Sequence, residues 1–378
     1  MKINVDKESL LKSIQIADSI ISSKNINTIL SNCLFNITKE QIEILSTDNE
    51  MAVRTVIDAV SEGDISFTAN GKKFSSILKE LPNDELVLTI NDQMTIDIKT
   101  KSKDVKGHYS LIGTGTEEYP EIPIFSENSV IELEQPVLRE MIKKVMYAAS
   151  NDTIKPVFNG LYIISTKKES MSAVATDSRR LALISRTMEN GGGVNLEEGF
   201  IIPLKTVNEV FRILESTGQC RFSYDSNQCF FQIGNTEIIS RIVDGQFPNY
   251  KHVIPHENNM EVIIESKKLL ESVKRAMIFT REPANKIILT FQGSKLKIEA
   301  NTPELGEAEE ELTVESSSEE KITLGINAQF MIDCLKEIDS VSIKCGITGQ
   351  MSPITIMPED DKEYVSVIMP IQIKSSDE

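Results

Sequence analysis

No stretch of apolar residues in this chain approaches the roughly 20 needed to cross a bilayer as a helix, which excludes a helical membrane span. The chain opens Met-Lys-Ile-Asn without a basic-then-apolar leader, so the expected location is cytoplasmic. Cysteine is sparse: Cys33, Cys220, Cys229, Cys334 and Cys345 are odd in number and lack C-x-x-C spacing, so buried free thiols are expected rather than disulfides or zinc. Histidine is rarer still. His252 and His256 have a helical ligand spacing, but Pro255 breaks any helix there, and His108 stands alone, so no metal site is expected.

Catalytic signatures are missing too. The chain has no G-x-S-x-G, no phosphate-cradling G-x-x-x-x-G-K-[ST] and no Gly-rich fingerprint between a strand and a helix. Gly191-Gly192-Gly193 comes nearest, yet no helical pattern follows it, and it reads as a hairpin loop. Asp177 and Asp244 are the best paired-carboxylate candidates, but each sits at a strand end beside an arginine, where a structural ion pair is the default. The expectation is a protein that is not an enzyme and holds no cofactor.

What the chain does have is a threefold echo. Ile44 to Asp48 (ILSTD), Val174 to Asp177 (VATD) and Ile298 to Thr302 (IEANT) recur one domain length apart. Each copy follows an amphipathic helical pattern and precedes a short strand turning directly into a second helix: Phe67 to Gly71, Ile201 to Lys205, and Leu324 to Ala328. A length of 378 residues independently suits three domains. The expected modules are 1–125, 126–255 and 256–378.

The charge distribution says more than the total of −17, which by itself argues against nucleic acid. Six helices are expected at 6–22, 70–82, 134–150, 204–216, 265–279 and 327–338; together they carry +3 and leave −20 to the rest. Their clustered cations are Lys72, Lys73 and Lys79; Arg139, Lys143 and Lys144; and Lys267, Lys268, Lys274 and Arg275. Spacings of three, four and seven put several on a common helix face. A solvated helix side is the default reading of any single cluster, and six alike strain that reading. If the six helices line one surface, that surface meets a phosphate backbone through sparse, sequence-blind contacts. No concentrated basic reading element points to sequence-specific DNA binding.

Between the helices, segments such as Glu85 to Ile90, Met94 to Lys99, Cys220 to Tyr224, Cys229 to Ile233 and Ser340 to Cys345 alternate apolar with polar residues. They predict antiparallel hairpins with one face buried, joined by polar turns at Asn91-Asp92-Gln93 and Asp225 to Gln228. The fold class is α+β, with sheets on one side and helices on the other as the two-layer solution.

At five places the residues resemble a known family: Val157-Phe-Asn-Gly-Leu, Ala175-Thr-Asp-Ser-Arg-Arg-Leu-Ala, Val243-Asp-Gly-Gln-Phe-Pro-Asn-Tyr, Ala300-Asn-Thr-Pro-Glu with Glu307-Ala-Glu-Glu-Glu, and Val367-Ile-Met-Pro-Ile. In this order they make the whole chain similar to bacterial DNA polymerase III beta subunits, the sliding clamps. The resemblance implies three clamp modules with antiparallel sheets outside and helices inside, closed into a ring as a head-to-tail homodimer. It implies a non-catalytic processivity factor that encircles double-stranded DNA and docks the replicative polymerase, clamp loader and repair proteins by short linear motifs. Encirclement removes the charge difficulty, because a closed ring stays on DNA without tight phosphate contacts.

The same resemblance implies a dimer seam with Tyr109 and Leu111 facing Ile278 and Phe279; the competing reading places these four in the core of their own modules. It also implies a peptide pocket at Val157, Phe158, Thr176, Arg179, Arg180, Leu181, Pro255, Val367, Ile368, Met369 and Pro370, with Arg180 offering donors to peptide carbonyls. A buried C-terminal strand is a compatible reading of Val367 to Ile371. Ser178-Arg179 stand where the family commonly has Gly-His, and Lys374 to Glu378 run past its usual end, which puts fine peptide preference in doubt. Outside the family, a monomeric repeat-built interaction scaffold would share the periodicity.

Overall fold

The element order β-α-β-β-β-β-α-β-β-β occurs twice along the described residues and a third time with one short strand added between the helices. The computed structural model describes residues 1–21, 28–101, 107–127, 130–152, 154–167, 170–188 and 199–373. The Gly191-Gly192-Gly193 loop and the Lys374 to Glu378 extension lie outside them.

The first run is β1 (Lys2–Asp6), α1 (Lys7–Asp18), β2 (Cys33–Ile37), β3 (Gln41–Thr47), β4 (Met51–Ser61), β5 (Ile65–Ala69), α2 (Gly71–Glu80), β6 (Glu85–Ile90), β7 (Thr95–Thr100) and β8 (Tyr109–Thr114). The second is β9 (Ile131–Glu134), α3 (Gln135–Met146), β10 (Gly160–Lys167), β11 (Ser170–Thr176), β12 (Arg180–Thr187), β13 (Phe200–Pro203), α4 (Leu204–Ile213), β14 (Gln219–Tyr224), β15 (Gln228–Ile233) and β16 (Thr236–Arg241). The third is β17 (Met260–Glu265), α5 (Ser266–Met277), β18 (Lys286–Gln292), β19 (Lys295–Thr302), β20 (Gly306–Thr313), a two-residue β21 (Glu315–Ser316), β22 (Ile322–Asn327), α6 (Ala328–Lys336), β23 (Ser342–Ile347), β24 (Ile354–Pro358) and β25 (Tyr364–Ile368).

Local chemistry sets the helix starts. The residue just before the helix caps it at three of the six starts: Asp6 accepts from Ser9 N at 2.8 Å, Asn70 from Lys73 N at 2.9 Å and Asn327 from Phe330 N at 3.2 Å. All six helices begin within one residue of expectation, while α1 and α3 stop four residues early. Apolar residues continue past both ends, but the backbone has tightened to i→i−3 bonds, Ile21 N to Asp18 O and Ala148 N to Val145 O. Hydrophobic periodicity therefore outlasts the helix.

Two compact units result. The first comprises Met1–Pro136 with Asn208–Ile242 and holds one antiparallel sheet in the order β1-β6-β7-β8-β5-β2-β3-β4-β16-β15-β14-β9. An extra β1 to β4 pairing closes its first eight strands on themselves. Long β4 makes this possible, taking β16 along Met51 to Thr55 and β1 along Ala59 to Ser61 on the same edge. Helix α2 turns Phe74 and Leu78 inward, where Phe74 meets Phe35, itself stacked on Phe67 at 5.1 Å. Burying each such ring contributes roughly 1.5–3 kcal/mol.

The second unit comprises Val137–Val207 with Val243–Glu378. It holds the sheet β13-β10-β11-β12-β25-β24-β23-β17-β21 and the sheet β20-β19-β18-β22, and α5 packs on α6. The middle run is thus shared out: β14 to β16 extend the sheet of the first run, and β10 to β13 extend that of the third.

Candidate functional site

The Thr-Asp echo is a turn, built twice from the same hydrogen bonds. In the first unit Asp48 Oδ1 accepts from Glu50 N and Met51 N, while Thr47 Oγ1 donates to Met51 O at 2.9 Å and accepts from Asn49 N. In the second, Asp177 Oδ1 accepts from Arg179 N and Arg180 N, while Thr176 Oγ1 donates to Arg180 O at 2.6 Å and accepts from Ser178 N. The third residue of each turn has a left-handed backbone, φ 74° at both Asn49 and Ser178. Ser178 pays the steric cost that glycine avoids. The third echo differs, because Thr302 Oγ1 donates to Phe279 O and the left-handed residue is Gly306, four places on.

Beside the second turn lies an apolar cavity of about 220 Å³ lined by Phe158, Thr176, Ser178, Arg180, Leu181, Pro248, Tyr250, Val253, Val367 and Met369. Its floor is the cluster of Val174, Leu181, Tyr250 and Val367, backed by Tyr162 stacked on Phe247 at 4.6 Å. Gly245, at φ +126, lets the 243–250 segment press against Val157, whose Cγ1 would lie 2.8 Å from any Cβ there.

Of the expected pocket residues, Phe158, Thr176, Arg180, Leu181, Val367 and Met369 line this cavity, and Val157, Arg179, Pro255, Ile368 and Pro370 do not. Ile368 is fully buried, at 0% exposure, within β25. Arg179 is exposed beside the lining. Ser178, Pro248, Tyr250 and Val253 complete the lining; the Val243 to Tyr250 motif contained two of them, and Pro248 rather than Pro255 is the proline at the wall.

Arg180 is not a free donor. Its Nε reaches Asp177 Oδ2 at 3.1 Å, its Nη1 reaches Asp333 Oδ2 at 2.6 Å, and its guanidinium lies 4.4 Å from the Phe330 ring centroid. Asp177 is accordingly half of a structural ion pair. Beneath β25, Tyr147 donates to Ser366 Oγ at 2.9 Å and lies 3.2 Å from the Tyr364 hydroxyl. Burial pushes both phenols well above their ordinary range and the neighbouring Cys334 thiol up to about 11, so this layer is uncharged packing. All five cysteines are free and buried.

The helix cations divide by environment. Lys72, Lys73, Lys79, Lys267, Lys268, Lys274 and Arg275 are exposed. Lys268 pairs with Glu265, and Arg275 holds Glu310 of β20 through two bonds of 2.5 and 2.7 Å. Arg139 and Lys143 are half-buried, with Lys143 3.4 Å from Glu337. Lys144, its side chain only 12% exposed, sits between Glu140 and Asp361 and belongs to an internal charge cluster. Arg186 anchors that cluster with bonds of 2.7 Å to Glu140 and 2.6 Å to Asp361.

The four seam residues also separate. Tyr109 is 37% exposed and Ile278 70%, Phe279 is half-buried, and Leu111 at 8% belongs to the core of the first unit. Alternation along β8 exposes Ile112 instead, at 77%. Lys72 and Lys73 line a cleft of about 630 Å³ together with Leu111 and Ile112. In the second unit Leu305 is a further exposed apolar residue, next to Gly306, whose Cβ position lies 3.7 Å from the Phe279 ring. Among the described residues β20 pairs only with β19, and β8 over Tyr109 to Ile112 pairs only with β7. No group of histidine, cysteine and acidic side chains among them could hold a metal, and no helix is long and apolar enough to cross a membrane.

Comparison with known proteins covers nearly every residue. Residues 1–123 match the family model for the N-terminal domain of the DNA polymerase III beta subunit, 132–249 that for its central domain and 251–372 that for its C-terminal domain. The chain is 26% identical over 380 residues to the beta sliding clamp of Halalkalibacterium halodurans, spanning 97% of this chain and 98% of that one. Its fold is that of the Bacillus subtilis DNA polymerase sliding clamp, with a TM-score of 0.92 at 24% identity over 99% of this chain and 100% of that one. The Thermotoga maritima DNA polymerase III beta subunit gives a TM-score of 0.89 at 26% identity, with the same coverage.

Proposed function

The chain belongs to the DNA polymerase III beta subunit family, and from that premise we infer that it is a sliding clamp: a non-catalytic processivity factor that encircles double-stranded DNA and tethers the replicative polymerase. Its three runs of elements act as modules over 1–125, 126–255 and 256–378, and two chains close head to tail into a ring with helices inside. Replication of DNA sets its place in the cytoplasm.

The observation that carries ring closure is the pair of incomplete strand edges, β8 in the first unit and β20 in the second. Each carries exposed apolar side chains, Tyr109 and Ile112 on one, Ile278 and Leu305 beside the other. Their charges are opposite, Lys72 and Lys73 against Glu307. An unpaired edge is an invitation to another strand, and a second copy satisfies both edges at once. A monomeric scaffold would leave them bare.

The exposed cations Lys79, Lys267 and Lys274, with Arg139, supply the weak phosphate contacts of the inner face; Lys72 and Lys73 serve the seam, and Lys143, Lys144, Lys268 and Arg275 pair with carboxylates. The apolar cavity at Phe158, Leu181, Val367 and Met369 receives linear motifs of the polymerase, clamp loader and repair proteins.

The decisive experiment loads the protein onto nicked circular DNA with a clamp loader and ATP, then linearises the circle with a restriction enzyme. Release on cutting is the expected result. Retention that ignores the cut and falls with salt would mean ordinary electrostatic binding, and absence of loading would contradict the clamp reading.

A further inference from the structure

The two Thr-Asp turns place corresponding residues in corresponding positions with inverted chemistry. Arg241 N donates to Glu50 O at 2.9 Å in the first unit, and Met369 N donates to Arg179 O at 2.8 Å in the second. The strand registers agree, with Met51 opposite Ser240 and Arg180 opposite Ile368. Arg241 therefore corresponds to Met369, and Glu50 to Arg179.

In the first unit the two side chains pair, Arg241 Nη1 lying 3.7 Å from Glu50 Oε1. In the second, the arginine of that pair has become Met369, which lines the apolar cavity, and the glutamate has become Arg179. No carboxylate among the described residues forms an ion pair with Arg179, since Asp177 and Asp333 are both taken by Arg180. The site thus presents an apolar hole beside a cation with no counter-charge.

Two other cations belong to the segments that line the cavity. Lys155 Nζ lies 5.8 Å from the ring centroid of Phe158, and Lys251 follows the lining residue Tyr250; both are exposed. On the acidic side, Asp244 is exposed and Asp152 accepts from Ile154 N at 2.9 Å. Arg180 with Asp177 and Asp333 included, the neighbourhood is neutral; its exposed side chains alone are Lys155, Arg179 and Lys251 against Asp152 and Asp244, in a chain of net charge −17. Screening over roughly 8–10 Å leaves the rim, not the distant acidic surface, to act on a bound segment.

We propose that the segments this cavity accepts carry aspartate or glutamate beside their bulky apolar anchors, with Arg179 as the main selector of that acidic flank. The inference rests on the peptide-docking reading of the cavity and adds the charge of the ligand to it. Apolar anchors supply the burial, and the flank supplies selection and encounter rate.

The test uses the full chain and two fluorescent peptides, each with a Leu-Phe pair, flanked on both sides by two aspartates in one and by two lysines in the other. Anisotropy titration should show the acidic peptide binding about tenfold more tightly at about 0.1 M salt, with the gap closing near 1 M. Arg179→Glu, folded by circular dichroism, should remove or reverse the gap, and Met369→Ala should weaken both peptides. Equal binding of the two peptides, with Met369→Ala still weakening both, overturns the acidic flank and leaves the docking reading intact. A gap that survives Arg179→Glu overturns the role of Arg179. Binding of neither peptide, or indifference to Met369→Ala, defeats the docking reading and this inference with it.

Discussion

Arg180 donates to Asp333 at 2.6 Å, tying the strand that walls the apolar cavity to helix α6. The guanidinium is sandwiched between that carboxylate, Asp177 and the Phe330 ring, so its charge holds the wall and is spent before any ligand arrives. Removing one acceptor leaves a largely buried cation short of a partner. Asp333→Ala should lower unfolding free energy by roughly 1–3 kcal/mol in urea titration, whereas an unchanged midpoint would show that Asp177 alone is sufficient.

Neighbouring residues of β25 should separate docking from stability. Ile368 is fully buried and away from the cavity lining, so Ile368→Ala should cost about 2–5 kcal/mol with peptide affinity preserved in the folded fraction. Met369 lines the cavity and is partly exposed, so Met369→Ala should cost little stability and most of the affinity. Calorimetric titration alongside urea unfolding distinguishes the two, and equal behaviour of the variants would refute the assignment.

These distinctions mark the limit of what the sequence conveys. Helix starts were readable because Asp6, Asn70 and Asn327 are capping residues placed before amphipathic runs. The strand pairs were readable from alternation. In β25 alternation is silent, since all five of its residues are buried and nothing local tells Val367 from Ile368. Lys144 looks like any solvated helix lysine until Asp361, far along the chain, arrives beside it. Leu111 and Ile112 are both apolar, and only the phase of β8 against β7 decides which one faces out. Pro248 and Tyr250 lay inside a motif already singled out, but their approach to Leu181 is a tertiary fact.

Seam residues yield a prediction from that phase. Ile278→Glu combined with Phe279→Glu should give a folded protein sedimenting near the chain mass of 42.2 kDa, and Ile112→Glu should do the same. Leu111→Glu should instead unfold the first unit, because it buries a charge in a core, at a cost of roughly 3 kcal/mol or more. Analytical ultracentrifugation with circular dichroism reads both properties; an Ile278 and Phe279 variant still dimeric would remove them from the seam.

Acid should loosen the second unit through Arg186. Its hydrogen bonds hold the Glu140 carboxyl below the ordinary 4.5. Burial pushes Asp361 upward, but the bonds and charge of Arg186 outweigh it and leave that carboxyl below the ordinary 3.8. Because both values are depressed on folding, the unfolded chain takes up protons first as pH falls. The stabilisation from this cluster is therefore complete above about pH 4.5 and is lost progressively below it, as the pH passes through the folded-state values. Arg186→Gln removes the largest cause of the depression and leaves the smaller one from Lys144, so the variant should be less stable than wild type near neutrality and the difference should shrink towards about pH 3. Urea midpoints of both proteins across that range test this, and a stability difference that stays constant with pH would show that Arg186 acts through packing rather than through its two carboxylates.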